Sequence, residues 1–359
     1  MRPEGRADES RERATLGWFE KYLTLWVFAS MLLGLLLGRF FPGLGSWLGS
    51  LTLWDISIPM GVCLFMLMYP TMVNIELREI VKASKSPRPA ALTMMGNWVV
   101  APALMALLAR LFLGGHPGYA AGVILLGIAP CTGMVLFWIM VAGGDVAKGV
   151  VITAINVFST LVLYTPLAAF YLGVGGLPVP VDPVARSVVL FVGVPLLLGQ
   201  LSRKLVVDKK GEAWFRRVFS PMLGNIAAMA LLATVAILFS LKGEVIASQP
   251  ILIGLLSVPI LTHFIIMASV FYMVPRFLGF GYRDAVTIAF ISSGTQFEVA
   301  IATATVVFGV DSEAALATVV GPLWEVPTML MFAKIVARTR GRLYREQEDG
   351  LRWRGAGRL

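Results

Sequence analysis

Residues 127–138 read GIAPCTGMVLFW and residues 291–304 read ISSGTQFEVAIATA. Each is polar or broken in the middle of an otherwise apolar run. Backbone that leaves the helix at membrane depth is tolerated only where it is buried in protein or lines a cavity, and a matched pair in the two halves of a chain points to a transporter's binding site. The composition supports a bilayer as solvent. Hydrophobic residues make up 57% and charged residues 14% of the 359, against roughly 25% charged in a soluble domain. Mean hydropathy is +0.80.

Ten apolar runs are near the roughly 20 residues that cross hydrocarbon: 22–41, 52–74, 90–113, 120–142, 149–172, 185–202, 218–241, 251–274, 285–308 and 315–337. The formal charge of +9 first suggests a nucleic-acid partner. Threaded through ten spans with the N-terminus inside, all but four of the 30 Lys and Arg fall on one side, the exceptions being Arg39, Arg110, Arg186 and Lys242. That is the positive-inside asymmetry, so the basic balance sets orientation in the membrane and implies no nucleic acid. Both termini are expected in the cytoplasm, in a multi-pass protein of the plasma membrane, with no removable signal peptide.

A slide of about 163 residues lays span 1 on span 6, Cys131 on Gly294, and the late proline Pro166 close to Pro327. Five spans is an odd number, so the second copy enters from the opposite side. The expected fold is an all-α integral membrane protein of ten transmembrane helices in two inverted five-helix repeats, residues 16–184 and 185–340. Charged tails are expected at 1–15 and 341–359.

In span 4, Pro130 removes a backbone donor between Gly127 and Gly133, which is either a simple kink or a break that frees amides and carbonyls toward a cavity. In span 9, Ser292, Ser293, Gly294, Thr295, Gln296 and Glu298 crowd into seven positions, which a lipid-facing helix does not accommodate. Glu298 is the costliest, because a mid-membrane carboxylate costs about 2.5–3.5 kcal/mol on insertion scales and usually marks an ion or proton path. A neutral, hydrogen-bonded structural glutamate is the plainer alternative. Glu325 in span 10, Asn97 in span 3 and Asn156 in span 5 suit packing and site lining equally.

Both cysteines, Cys63 and Cys131, fall inside spans, so free thiols are expected. Cys63 lies between Val62 and Leu64 and reads as a small buried hydrophobe. Cys131 instead sits between Pro130 and Thr132 at a helix break, and thiolates select soft metals and metalloids. A single thiol can hold such a cargo and still release it. The chain lacks GxSxG, HExxH and Walker patterns and holds only His116 and His263, which leaves little for an enzyme to work with. GLLLG at 34–38 matches a helix-association pattern, a weak signal in a Gly-rich chain.

The runs YLTLWVF (22–28), NWVVAP (97–102), APCTGMVLFW (129–138), FEVAIATA (297–304) and VGPLWEVP (320–327) resemble the arsenite efflux permeases of the arsenical-resistance-3 family. That family lies within the bile acid/arsenite/riboflavin transporter superfamily. The resemblance runs from about residue 18 to 338. It implies crossed, discontinuous spans 4 and 9 and export of As(III), in some members also Sb(III), across the plasma membrane. The family's essential cysteine and glutamate fall on Cys131 and Glu298, with Thr132 and Thr295 beside them. Ser292, Ser293, Gln296, Asn97, Asn156 and Glu325 are expected to line the site or couple it to an ion. Gly133 stands where alanine is expected, and the GTQFE run departs from the usual pair before the valine, which touches ion coupling rather than the core pair. Arsenite is uncharged at neutral pH, so the membrane potential alone cannot drive it. An entering proton brings about 2.3 kcal/mol per 100 mV, and protons are the expected coupling ion. No cofactor is expected. A sodium-coupled symporter of bile-acid-like anions is the alternative within the superfamily, and the Pro-Cys-Thr run argues against it.

Overall fold

A computed structural model describes residues 23–41, 43, 47, 51–53, 56–75, 87–176, 179, 181–248 and 250–344. The expected N-terminal tail and most of the C-terminal one lie outside them. The described chain is helical apart from a hairpin of two-residue strands, β1 (Thr52–Leu53) and β2 (Ile56–Ser57). Among the described residues, six helices are long and apolar enough to cross a membrane, and four shorter apolar helices accompany them. This is a multi-pass membrane protein.

The helices are α1 (Leu23–Phe40), α2 (Ile58–Asn74), α3 (Pro87–Leu113), α4 (Pro117–Ile128), α5 (Met134–Val141), α6 (Val146–Val174) and α7 (Val181–Lys210). They continue as α8 (Ser220–Ser248), α9 (Pro250–Phe277), α10 (Tyr282–Ser293), α11 (Phe297–Phe308) and α12 (Glu313–Leu343). The expected second span is corrected at its start. Strands take residues 52–53 and 56–57, and Pro59, at the beginning of α2, supplies the fixed φ of a first helical turn. Helix α12 also overruns its expected end, because Tyr344 is fully buried and its hydroxyl donates to the Tyr272 carbonyl at 2.6 Å.

Three π turns interrupt the helical runs, at Gly96–Val100, Val189–Gly193 and Phe215–Phe219. Each is followed by a proline at the same offset: Pro102, Pro195 and Pro221. A proline ring inside a helix clashes with the carbonyl four residues earlier and leaves it without a donor. In all three cases that carbonyl belongs to the π turn, whose wider ring relieves the clash and lets the helix continue.

Helix α8 packs most extensively on α1 and α2, and α2 on α7. The other group is α3, α4, α6 and α9–α12, packed around the broken segments. The GLLLG run serves the first group. A Cβ on Gly34 would stand 2.4 Å from the Ala236 carbonyl oxygen, and one on Gly38 would meet that of Ser240 at the same distance. Both glycines are therefore spent on the α1–α8 contact within the chain.

One succession occurs twice. Helix α4, a break, α5, a turn through Gly143 (φ 73) and an Asp145 cap lead into the long α6 with Pro166 inside. Helix α10, a break, α11, a turn through Gly309 (φ 91) and a Ser312 cap lead into the long α12 with Pro322 and Pro327 inside. Each cap side chain accepts from the backbone N–H three residues on, Lys148 and Ala315 respectively. Lys148 also pairs with Asp284, and the Tyr282 hydroxyl donates to the Ala142 carbonyl at 2.8 Å. These contacts tie the first succession to the start of α10.

Candidate functional site

The site is made where the two breaks cross. Ala129 precedes Pro130, and the ring of a proline pushes its predecessor out of the helical region; Ala129 is extended at φ −94°, ψ 108°. Gly294 is extended at φ −75°, ψ 148°. The two segments run antiparallel and pair at Pro130 and Thr295. Cys131 N–H donates to the Gly294 carbonyl at 3.1 Å, and Gln296 N–H to the Ala129 carbonyl at 2.7 Å. Backbone groups released by both breaks thus satisfy one another, as hydrocarbon surroundings require. Gly294 is needed here, since a Cβ would lie 2.8 Å from Cys131 Cβ.

Four helix ends meet at the crossing. The C-termini of α4 and α10 bring carbonyls, while α5 and α11 start there and aim their positive dipole ends at it. Glu298 stands in the first turn of α11, where a carboxylate suits that dipole. On one side of the crossing lies a cavity of about 700 Å³, walled by α2, α8, the start of α5 and α6. Glu298, Thr132 and Gly133 reach it, with Thr71, Asn74, Thr153, Ser220 and Asn225 across from them. Among the described residues, Glu298 is the one charged member of that lining, and no Lys, Arg or His belongs to it. The cavity lies toward the end of the bundle that carries Arg203 and Arg216, for Arg203 donates to the Asn74 carbonyl at 3.3 Å.

Cys131 lies just behind this wall. It is 5% exposed and does not itself line the cavity. Its neighbour Thr132 does, and the Thr132 hydroxyl accepts from Gln296 Nε2 at 3.1 Å. The same nitrogen lies 3.4 Å from Met68 Sδ on α2, and the other amide atom of Gln296, Oε1, has no partner among the described residues. Glu325, also buried, reaches in from α12. Its Oε2 accepts from the Thr295 hydroxyl at 2.8 Å and its Oε1 from Thr295 N–H at 3.3 Å. A Cβ on Gly294 would lie 3.3 Å from Oε1, so this carboxylate is part of the crossing and not a bystander on its own helix.

The other residues singled out in the sequence group separately. Asn97 Nδ2 donates to Asn156 Oδ1 at 3.1 Å, while Asn156 Nδ2 is buried without a partner among the described residues. Ser292 Oγ also lacks a partner and lies beside Gly96, 2.8 Å from where its Cβ would be. Ser293 folds its hydroxyl back on the Ala289 carbonyl at 2.7 Å. These four stand behind the crossing, away from the cavity lining. Both thiols are free, and Cys63 is half-buried on α2.

Sequence reasoning passed over Thr71, Asn74, Thr153 and Asn225. Their signal is positional. Leu67, Pro70, Thr71 and Asn74 recur at helical spacing, as do Ser220, Pro221, Gly224 and Asn225, so each set forms one face of its helix.

Comparison with known proteins places the chain among transporters. Residues 61–249 match the model of the sodium bile acid symporter family. An uncharacterized transporter of Synechocystis, slr0944, is 41% identical over 346 residues, covering 90% of both chains. The arsenical-resistance protein Acr3 of Alkaliphilus metalliredigens is 36% identical over 94% of this chain and 97% of its own. Acr3 of Corynebacterium glutamicum is 34% identical over 88% of each.

Proposed function

The chain belongs to the Acr3-type permeases of the bile acid/arsenite/riboflavin transporter superfamily, a transporter and not an enzyme, and from that premise we propose that it exports arsenite across the plasma membrane in exchange for protons. The observation that carries this reading is the lining of the cavity. Hydroxyls and carboxamides set among apolar side chains share the lining with a single carboxylate, and among the described residues no cation is there to pair with an anionic cargo. That surface fits an uncharged trihydroxide such as arsenite. A bile-acid-like anion would face Glu298 across a poorly screened space, where like charges repel. Antimonite offers the same shape and softness as arsenite and is a second candidate cargo.

In this reading the chain has ten spans in two inverted repeats, residues 16–184 and 185–340. The repeated helix–break–helix succession and the antiparallel crossing support the inversion. The Lys- and Arg-rich end is cytoplasmic, as are both termini, so the cavity is the loading side. Reporter fusions after Gly118, Gly176 and Ser312 should then read as extracytoplasmic, and fusions after Lys210 and Gly281 as cytoplasmic. A reversed pattern removes the premise for export.

Cargo entering from the cytoplasm meets Glu298 and Thr132 first. Beyond Thr132 lies the Cys131 thiol, which displaces one hydroxyl of the trihydroxide; the As–S bond forms, the As–O bond breaks, and the thiol proton leaves with the hydroxyl as water. Addition of water reverses the step and frees the cargo. Glu298, facing the cavity, and Glu325, held by Thr295, are the groups that carry the entering proton. Arsenite uptake into everted vesicles tests the whole reading. It should depend on an imposed proton gradient, and a requirement for sodium instead would favour the bile-acid-like symporter.

Export also needs the opposite end to open. There Ser187 of α7 and Thr303 of α11, both fully buried, share a hydrogen bond of 2.8 Å between their hydroxyls. This contact joins the two packing groups on the far side from the cavity. A Ser187→Cys, Thr303→Cys double variant should lose transport when oxidised and regain it on reduction, because a disulfide requires Cβ atoms about 4 Å apart and holds that end closed. Unchanged transport after proven cross-linking would remove this contact from the exit path.

A further inference from the structure

A second cavity, of about 420 Å³, lies at the other end of the bundle between α3, α4 and the end of α6. Its floor is small and apolar: Ala106 and Ala109 of α3, with Ala120, Ala121 and Ile124 of α4. Small side chains keep the helices from closing it. At its mouth stands Arg110, exposed and without a hydrogen-bond or ion-pair partner among the described residues. Arg186, also at the Lys/Arg-poor end, is by contrast paired with Asp182.

The flanks of this cavity face lipid. On α3, Leu107 and Leu111 are exposed at 54% and 68%; on α6, Phe170 and Val174 are exposed at 59% and 63%. Such apolar side chains beside the opening mean that it gives onto the bilayer, not into the transport path. Arg110 lies in the last turn of α3, where a guanidinium reaches headgroup level while its stem stays against apolar surface.

We propose that this crevice is a phospholipid site, with the lipid phosphate held by Arg110 and part of an acyl chain lying over the half-buried Ala106 and Ala120. A guanidinium fork matches two phosphate oxygens, and in surroundings drier than bulk water the pairing is strong. The occupant is a glycerophospholipid of the leaflet at the Lys/Arg-poor end. Its position beside α4 puts it against the helix that leads into the span 4 break, on a face the cargo does not use.

The test is native mass spectrometry of the full chain in detergent with added phosphatidylglycerol. Wild type should retain one lipid tightly; Arg110→Gln should bind it about tenfold more weakly, the usual order for one charge-assisted contact. Arg110→Lys keeps the charge but loses the fork, so it should bind with an affinity between those of wild type and Arg110→Gln. Ala120→Phe, which fills the crevice from α4 and leaves Arg110 in place, should also expel the lipid, while Arg186→Gln should not. Inorganic phosphate should not compete, since the acyl chain supplies much of the binding. Equal retention by wild type, Arg110→Gln and Ala120→Phe, each monodisperse by size exclusion, overturns the proposal. So does displacement by inorganic phosphate alone, which would make the site one for a free anion.

Discussion

Cys131→Ser should reduce arsenite transport to the level of empty vesicles, while Cys63→Ser leaves it close to wild type. The two cysteines differ in what surrounds them. Cys63 is half-buried on α2. Cys131 is held in the crossing by its backbone bond to Gly294, one residue from the cavity-lining Thr132. Serine keeps the backbone, the size and the N–H donor of that position, so the crossing should still form. What it loses is the soft sulfur. A hydroxyl offers the metalloid only the kind of oxygen that it already holds three times, so exchange brings no gain. A buried hydroxyl without a partner costs about 1–3 kcal/mol, but nearby carbonyls at the breaks can accept from it, and expression should survive. Uptake into everted vesicles at matched protein levels decides the matter. Equal loss in both variants would mean that the crossing does not distinguish one thiol from the other.

The breaks themselves were legible in the sequence because their causes are local. Pro130 forces Ala129 out of the helix, and the polar run at 292–298 cannot face lipid. That Cys131 pairs with Gly294 was legible only as an offset of about 163 residues, and the hydrogen bonds that realise it depend on two segments meeting from opposite directions. Glu325 was harder to place. Nothing in GPLWEVP says which neighbour its carboxylate will meet, and the Thr295 donors come from another helix, 30 residues away. Polarity left Asn97 and Asn156 equally suited to packing and to lining, and they cluster with Ser292 behind the crossing, because polarity says that a side chain avoids lipid but not which interior surface it faces. The lining residues Thr71, Asn74 and Asn225 were missed for the converse reason. Each is a single polar position near the end of an apolar run, where solvent exposure explains it equally well. The GLLLG run is similar: close packing was readable from its spacing, but the partner, α8 of the same chain, was not.

Glu298→Gln should separate binding from transport. The amide keeps the shape of the side chain and can still accept a hydrogen bond, so the wall of the cavity and the start of α11 should survive, apart from the loss of a favourable charge–dipole contact worth about 0.3–1 kcal/mol. What disappears is the proton. If Glu298 carries it, entry of a proton from the outside can no longer be exchanged for exit of the cargo. The variant should bind arsenite through Cys131 with near wild-type affinity, yet lose uphill transport and its response to a pH gradient. Glu298→Asp keeps the titratable group on a shorter stem and should retain partial activity, which separates loss of charge from loss of fit. Glu325→Gln is the informative comparison. Glu325 accepts both the hydroxyl and the backbone N–H of Thr295, and an amide has only one oxygen for those two donors. That variant should therefore weaken the crossing as well as any proton step, lowering arsenite binding along with transport. Arsenite binding to purified protein, measured beside proton-driven transport in proteoliposomes, distinguishes the two. Should Glu298→Gln pump at the wild-type rate while Glu325→Gln binds but fails to pump, the proton belongs to Glu325, and Glu298 serves only to shape the loading side for a neutral cargo.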